Sequence, residues 1–418
     1  MFCRCPLPSK DAAPNSVICP ICLGYPGILP QLNREAIEKG IRLAQALGAK
    51  IASRIRFDRK NYFYPDLPKN YQISQKGAPL AEGGEVLVDY LSFDKKRSES
   101  FKVTLNHLHL EEDTGKMIHE GGPSAGSPQL GSGQAGRPAT LIDFNRAGVP
   151  LLEIVTEPII ASAQEARLFV KELQRVARAL RVSEASMEEG GLRVDANVSI
   201  SRGQEAGSTK LGAKVEIKNL NSLVALKKAL EYEIKRQTGL IKKGEKIIQE
   251  TRGWDQKESK TYGQRTKEYS ADYRYFPEPD LPEIVLSPLP SALHPLPVLP
   301  GTLRRKALKK GLRAAKVYML EDLGRLEKFL QKTRRKGIDI DQVASSLLSP
   351  RPGKTYFKTL PSDIGEIIQQ VLAENPQQVY NFKQGEKGKL NFLVAQVLKK
   401  IPSADPREIR KKIEEAID

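Results

Sequence analysis

The residues of this chain that could do chemistry fall into three sets, and the first is carboxylates on strand-like stretches. In Leu152–Glu157 an extended backbone places Glu153, Val155 and Glu157 on one face and Leu152 and Ile154 on the other. The same geometry in Val194–Ile200 groups Asp195, Asn197 and Ser199 opposite four apolar neighbours. A polar row on an otherwise buried strand needs partners. Oxygen donors of this kind suit Mg²⁺, which bridges and neutralises nucleotide phosphates. Any one of these carboxylates taken alone reads more simply as part of a solvated strand face.

The second set is four cysteines, Cys3, Cys5, Cys19 and Cys22, with none in the rest of the chain. Two close pairs separated by a thirteen-residue loop have the spacing of thiolates around tetrahedral zinc. A redox dithiol or a disulfide pair would use the same residues; a reducing cytoplasm and the lack of a thioredoxin-like surround weigh against both. Zinc here would staple the loop that leads into Gly24-Tyr-Pro-Gly-Ile-Leu-Pro30 and would do no chemistry. The third set is Asp58–Gln75, eighteen residues holding four aromatics, three cations and two carboxylates. Its prolines disfavour helix, so it is expected as an ordered, polar-lined loop of functional character. Gly131-Ser-Gly-Gln-Ala-Gly136 matches the dinucleotide fingerprint formally, but Arg137-Pro138 stands where the helix should begin. No Walker-type lysine loop occurs either, so phosphate has to be handled by other means.

The elements that must position these groups are legible in part. Asn33 can cap a helix with Ile37, Ile41, Ala44 and Leu47 on one face and Gly48 as its stop. Phe101, Val103 and Leu105 alternate as in a strand. Residues 120–138 read as a Gly-, Ser- and Pro-rich insertion. Ser162 with Glu165 makes a capping box before a helical stripe from Ala166 to Leu180. Period two returns in Val194–Ile200 and in Val215 and Ile217, and a long helix is expected over 222–243, closed by Gly244. Strands and helices without regular βαβ alternation argue for an α+β body over residues 1–287. A Pro-rich linker is expected at 288–300, a helical region at 301–360 and a small helical tail at 361–418.

At 418 residues two or three domains are expected. Hydrophobic content of 39% and charged content of 28% describe a globular protein. No apolar run approaches membrane-spanning length, and the first residues are not a secretory signal, so no membrane association is expected and the cytoplasm is the default compartment. The net charge of +17 is uneven: Lys and Arg outnumber Asp and Glu by 25 to 14 in residues 291–418 and by 42 to 36 elsewhere. A basic C-terminal third suggests RNA as partner, with a merely Lys-rich solvated surface as the alternative.

A series of motifs carries a family resemblance. They are Asp58–Gln75, His109-Leu-Glu-Glu-Asp-Thr-Gly-Lys116, Asp143-Phe-Asn-Arg-Ala-Gly-Val-Pro150 running on to Pro158, Met187-Glu-Glu-Gly190, Arg193-Val-Asp-Ala-Asn-Val-Ser199, Glu216-Ile-Lys-Asn-Leu-Asn-Ser222, Gln249-Glu-Thr-Arg252 and Asp272–Leu281. In this order they resemble the B subunit of the aspartyl/glutamyl-tRNA(Asn/Gln) amidotransferases, and Lys389–Gln396 resembles that family's tRNA-binding tail. The resemblance implies a cradle-like α+β catalytic domain with a mixed or antiparallel sheet, followed by helical domains. It implies ATP-dependent phosphorylation of a mischarged aminoacyl-tRNA, Glu-tRNA(Gln) or Asp-tRNA(Asn), and amidation with ammonia from an A subunit, in a heterotrimer completed by a C subunit.

Residue by residue, the resemblance places Glu111 and Glu153 at the magnesium-binding carboxylates, with Glu112 and Asp195 as companions and His109 as either a site residue or a structural histidine. Lys60 and Lys69 fall at positions of the ammonia path, with Asp272, Arg274 and Glu278 in its neighbourhood. Some members of the family bind zinc where Cys3, Cys5, Cys19 and Cys22 stand. The family opens with a strand of the form Gly-Leu-Glu-x-His-x-x-Leu that adds a glutamate and a histidine to the metal site, whereas here Met1 is followed by Phe2-Cys-Arg-Cys5. Loss of a central strand would unpair its neighbour, so a start assigned too late is the expectation. The alternative is a non-catalytic tRNA-binding module derived from the same scaffold.

Overall fold

The computed structural model describes residues 1–9, 11–120, 139–200, 212–266, 273–286, 295–334, 338–349, 364–386, 388–400 and 406–417. The glycine-rich fingerprint match, Asp272 and most of the Pro-rich linker lie outside them. The chain divides into two compact units, one of Met1–Tyr90 with Ser98–Thr302 and one of Leu91–Arg97 with Leu303–Asp418.

In the first unit, helix α1 (Arg34–Ala46) starts at Asn33, whose side chain accepts from the amides of Glu35 and Ala36, and Gly48 beyond its end takes φ +67°. Ten strands follow: β1 (Lys50–Ile51), β2 (Arg54–Ile55), β3 (Asp58–Asn61), β4 (Tyr71–Ser74), β5 (Ala81–Glu82), β6 (Glu85–Leu91), β7 (Ser98–Glu112), β8 (Lys116–Glu120), β9 (Ala139–Asp143) and β10 (Pro150–Thr156). One sheet runs β1-β5-β7-β10, with β6 also on β7. The stretch expected as a loop is instead an antiparallel hairpin, β3 against β4, with Asp58 opposite Ser74 and Asn61 opposite Tyr71. Only residues 62–70 are loop, and Pro65 and Pro68 sit there, where no ladder amide is lost.

Helix α2 (Ala163–Ala179) is capped by Ser162, and Glu165 returns to the amide of Ala161. After it come β11 (Ala196–Val198), β12 (Val215–Lys218), α3 (Leu223–Lys242), β13 (Glu250–Asp255) and β14 (Lys260–Thr266). The expected seven-residue strand at 194–200 is thus three residues long. A second sheet runs β11-β12-β13-β14 and is mixed, since only β12 and β13 are parallel. Phe169, Val170 and Leu180 of the α2 segment share a core with Leu226 and Ala229 of α3, Ile217 of β12 and Val103, Leu105 and Leu108 of β7. Finally β15 (Phe276–Pro277) pairs with β3 and β16 (Ile284–Val285) with β2, returning residues 273–286 to the β3–β4 hairpin.

The second unit is helical: α4 (Pro300–Lys309), α5 (Ala314–Asp322), α6 (Leu326–Lys332), α7 (Ile340–Leu348), α8 (Ile364–Glu374), α9 (Pro376–Lys383), α10 (Gly388–Lys400) and α11 (Pro406–Ile417). Ala307, Leu320, Phe329 and Ala344 centre one core, and Val371, Leu393, Val397, Ile409 and Ile413 another. Each fully buried Val, Leu, Ile or Phe among them contributes about 1.5–3 kcal/mol. Mixed sheets and eleven α-helices among the described residues make an α+β body followed by a helical region. No helix among them is long and apolar enough to cross a membrane.

Candidate active site

Strand β7 changes face midway. Val103 and Leu105 are buried, then Leu108, Leu110 and Glu112. The switch falls at Asn106–His107, where the pairing with β10 slips between Thr156 opposite Leu105 and Val155 opposite His107. One extra residue in a strand turns every following side chain to the other face. The bulge therefore directs His107, His109 and Glu111 to the side where β10, opposite His109, presents Glu153. Leu152 and Ile154 pack into the core behind.

On this face His109 Nε2 lies 3.5 Å from Glu153 Oε2 and 3.9 Å from Glu111 Oε2. All three donor atoms lie within 4.8 Å of one another. Ser74 Oγ donates to Glu111 at 3.1 Å, and the His107 ring stacks on His109. Burial pushes the Glu111 carboxyl above its ordinary range; Lys60 opposes this and Glu153 reinforces it. Burial, with the nearby His107, Lys60 and Lys76, holds His109 down to about 4, so its ring is neutral at pH 7. Its buried Nδ1 has no hydrogen-bond partner among the described residues. A buried carboxylate that resists charging, facing a neutral imidazole and a second carboxylate, suits a divalent cation.

Lys60 borders this cluster within an aromatic cage. Its Nζ lies 5.1 Å from the centre of the Tyr273 ring and 5.7 Å from that of Tyr62, and Tyr273 meets Tyr275 edge to face. Burial, then the charge of Glu111, pushes Tyr275 up to about 12. Arg274, at φ +42°, receives Asn61 Nδ2 on its carbonyl. Glu278 is committed elsewhere: it holds Arg59 through two hydrogen bonds of 2.8 Å, and Arg59 in turn lies over the Tyr71 ring.

Glu112 and Lys69 stand on the opposite face of β7 from Glu111. They pair with each other, both nearly buried, and Glu112 also accepts from the amide of Ile73 at 2.9 Å. The stem of Lys69 rests on Gly24, at φ +63°, where a Cβ would come within 2.1 Å of Lys69 Cγ. Of the two lysines expected on the ammonia path, Lys69 pairs with Glu112, while Lys60 lies against its tyrosines and acts on Glu111 through its charge.

Asp195 lies just before β11, half-exposed, 3.3 Å from Lys218, which also meets Glu216 at 3.4 Å. Among the described residues no contact joins it directly to His109, Glu111 or Glu153. The connection runs through a residue not singled out from sequence, Asp113. Its side chain is 1% exposed and binds Arg146 at 2.9 Å and Arg193 at 2.8 Å, while Arg146 donates to the carbonyl of Gly190 at 3.0 Å. Gly190 sits at φ +71° with Arg146 occupying the space of its missing Cβ. Four of the sequence motifs thus converge on one carboxylate. The signal for it in the sequence is a charged residue in each of three motifs with no other role.

The four cysteines also come together. Cys22 Sγ lies 3.4 Å from Cys3, 3.5 Å from Cys19 and 3.8 Å from Cys5. A tetrahedron of sulfurs about 2.3 Å from zinc has edges of about 3.8 Å, so the set fits zinc. A hydrogen bond from Cys22 draws the Cys3 thiol down to about 5, while burial pushes Cys5 up to about 11. The loop between the pairs docks on the Asp143–Arg146 motif: Asn15 and Val17 donate their amides to Asp143 and Asn145, and Asn145 donates to the carbonyl of Ala13.

A cluster of one histidine and two carboxylates that could hold a metal ion, set in an α+β body followed by helical domains, is the arrangement to compare with known enzyme subunits. Residues 1–289 match the family model described as the GatB/GatE catalytic domain, and residues 358–417 match the GatB domain. The B subunit of the aspartyl/glutamyl-tRNA(Asn/Gln) amidotransferase of Rippkaea orientalis is 40% identical, over 97% of this chain and 92% of its own length. That of Thermus thermophilus is 45% identical over 92% of this chain and 76% of its own. The B subunit of the chloroplastic/mitochondrial glutamyl-tRNA(Gln) amidotransferase of Physcomitrium patens is 42% identical over 88% of this chain and 64% of its own. The chain belongs to the family of amidotransferase B subunits.

Proposed function

We infer that this chain activates the side-chain carboxylate of Glu-tRNA(Gln) or Asp-tRNA(Asn). A carboxylate oxygen takes the γ-phosphoryl group of ATP and ADP leaves; ammonia then attacks the acyl carbon, the acyl C–O bond breaks and phosphate departs. The observation that carries this reading is the His109–Glu111–Glu153 cluster inside a chain of this family. His109, Glu111 and Glu153 would hold Mg²⁺, which when bound neutralises phosphate charge.

The chain's own residues supply the rest. Ser74 orients Glu111, and Lys60, held against its tyrosines, places positive charge beside the cluster. There it favours the negative charge that develops on the transferring group and disfavours protonation of incoming ammonia to ammonium. Arg274 continues the same path, and the family resemblance assigns Asp272 to it as well. Glu112 with Lys69 holds β7 from behind, and Asp195 with Lys218 adds a second polar edge. Cys3, Cys5, Cys19 and Cys22 would hold structural Zn²⁺. An A subunit supplies ammonia from glutamine and a C subunit completes the complex. Residues 1–287 carry the chemistry, and the basic helices of 301–360 and 361–418 hold the tRNA.

A module that only held RNA would have no use for a carboxylate buried like Glu111. The test is amidation by the complex reconstituted with A and C subunits, given ATP, Mg²⁺, ammonium chloride and Glu-tRNA(Gln) or Asp-tRNA(Asn). ATP-dependent Gln-tRNA or Asn-tRNA is expected. Its absence with both substrates would overturn the reading.

A further inference from the structure

The β6–β7 hairpin ends in Ser92-Phe-Asp-Lys-Lys-Arg97, a tip that none of the chemistry above uses. Phe93 is 105% exposed, more than any other large apolar side chain described; the next, Phe63, is 74% exposed. A single exposed apolar residue is ordinary by itself, but this one stands on a braced turn. Ser92 Oγ donates to Asp94 at 2.6 Å and receives the amide of Arg97 at 3.1 Å. The amide of Lys96 binds Asp94 at 3.1 Å, and Lys95 takes φ +57° to close the turn. The bracing sets the backbone at Phe93, so that its side chain leaves the turn into solvent.

Asp94 is taken up by the turn's own hydrogen bonds, and the charge beyond it is positive. Lys95, Lys96 and Arg97 follow one another and are exposed, and among the described residues Lys95 and Lys96 enter no ion pair. An aromatic ring held in solvent next to two uncommitted ammonium groups is the combination that binds unpaired nucleotides: the ring stacks on a base and the cations meet the flanking phosphates.

We propose that the Ser92–Arg97 hairpin tip is a contact for the RNA substrate, with Phe93 stacking on an unpaired base and Lys95 and Lys96 pairing with adjacent phosphates. The proposal rests on the tRNA-dependent function and adds a site to it. Preorganisation matters because a turn already braced needs no further backbone ordering on binding. Phosphate contacts made by the two lysines predict a salt dependence that the ring does not share.

The experiment uses the complex with A and C subunits and measures the Kd for Glu-tRNA(Gln) across a salt series, with amidation rates alongside. Phe93→Ala raises Kd by about 5- to 150-fold, the range for loss of one stacked base. The Lys95→Ala/Lys96→Ala pair weakens binding and lowers the slope of log K against log salt by about 1.4 to 1.8. Rates at saturating tRNA and thermal midpoints stay at wild-type values, as they should for fully exposed positions. Unchanged Kd and slope in both variants, with wild-type binding intact, overturn the proposal and leave the functional reading standing. Release of the A or C subunit from the Phe93→Ala chain on gel filtration, with tRNA affinity unchanged, assigns the tip to a protein contact and equally overturns it. A wild-type complex that fails to bind tRNA refutes the functional reading, and the proposal with it.

Discussion

Replacing Asp113 with asparagine keeps the shape of the side chain and removes the charge that two arginines share. Removing one partner of a buried ion pair costs about 3–5 kcal/mol. The structure reduces that figure in two ways. Arg193 is half-exposed, so its share belongs to the surface range of about 0–1 kcal/mol. Arg146 is mostly covered but keeps its hydrogen bond to the Gly190 carbonyl. A loss of about 2–4 kcal/mol is expected for Asp113→Asn, which at an m-value of about 3 kcal/mol/M lowers the urea midpoint by about 1 M. The assay is urea unfolding followed by circular dichroism, with amidation measured on the same preparations below the transition. Activity should fall by about tenfold or more even where the chain is folded, because a 1 Å displacement of a reacting group is costly. A double-mutant cycle with Arg146→Met should return a coupling of about 0.5–3 kcal/mol. A variant within about 0.5 kcal/mol of wild type, with full activity and no coupling, would refute the reasoning that this carboxylate ties the motifs together.

Other outcomes follow from the same geometry. Lys69→Met leaves the buried Glu112 without its counterion, and should cost about 3–5 kcal/mol in urea unfolding. Burial holds folded His109 at about 4, below its ordinary value, so its contribution to stability is present above pH 6.5 and is lost as pH falls toward 4. His109→Gln should flatten that part of the stability profile of the chelator-treated chain, and an NMR titration of the ring should find the low value directly. Glu111 is shifted the other way, so its contribution is full below the usual carboxylate range and is lost as pH rises through its elevated pKa. Glu111→Gln should therefore melt higher than the metal-free wild type at pH 7, gain nothing from added Mg²⁺ and lose amidation by at least about a hundredfold. Strong chelation or Cys22→Ser should release one zinc per chain by metal analysis and lower the melting temperature without abolishing ATP binding.

The helices are the most legible part of the fold. Asn33, Ser162 and Ser222 each accept from amides of the turn they open, and Gly48 and Gly244 follow the helix ends at positive φ. Such signals lie within a few residues of one another, so a linear sequence carries them. The cysteines are legible for the same reason: two close pairs need only one loop to meet. The β3–β4 hairpin reads as a loop in sequence because Asp58–Asn61 has no apolar alternation. It is held instead by β15 and by Gln72 and Gln75, whose side chains bind the backbone of β7. Asp113 has no local signature because its two arginines come from 33 and 80 residues away.

The order of residues alone specified the helices and their caps, the thiol cluster, the stock of carboxylates and the family to which the chain belongs. Which carboxylate faces the site was decided only in the folded sheet. Counted by twos from Val103 and Leu105, Glu111 falls on the buried face and Glu112 on the open one. The bulge at Asn106–His107 reverses them, sending Glu112 back to Lys69 and Glu111 out to His109 and Glu153. Nothing local in β7 marks that extra residue. It exists because β10 pairs with β7 in two registers at once, and register is a property of two strands together.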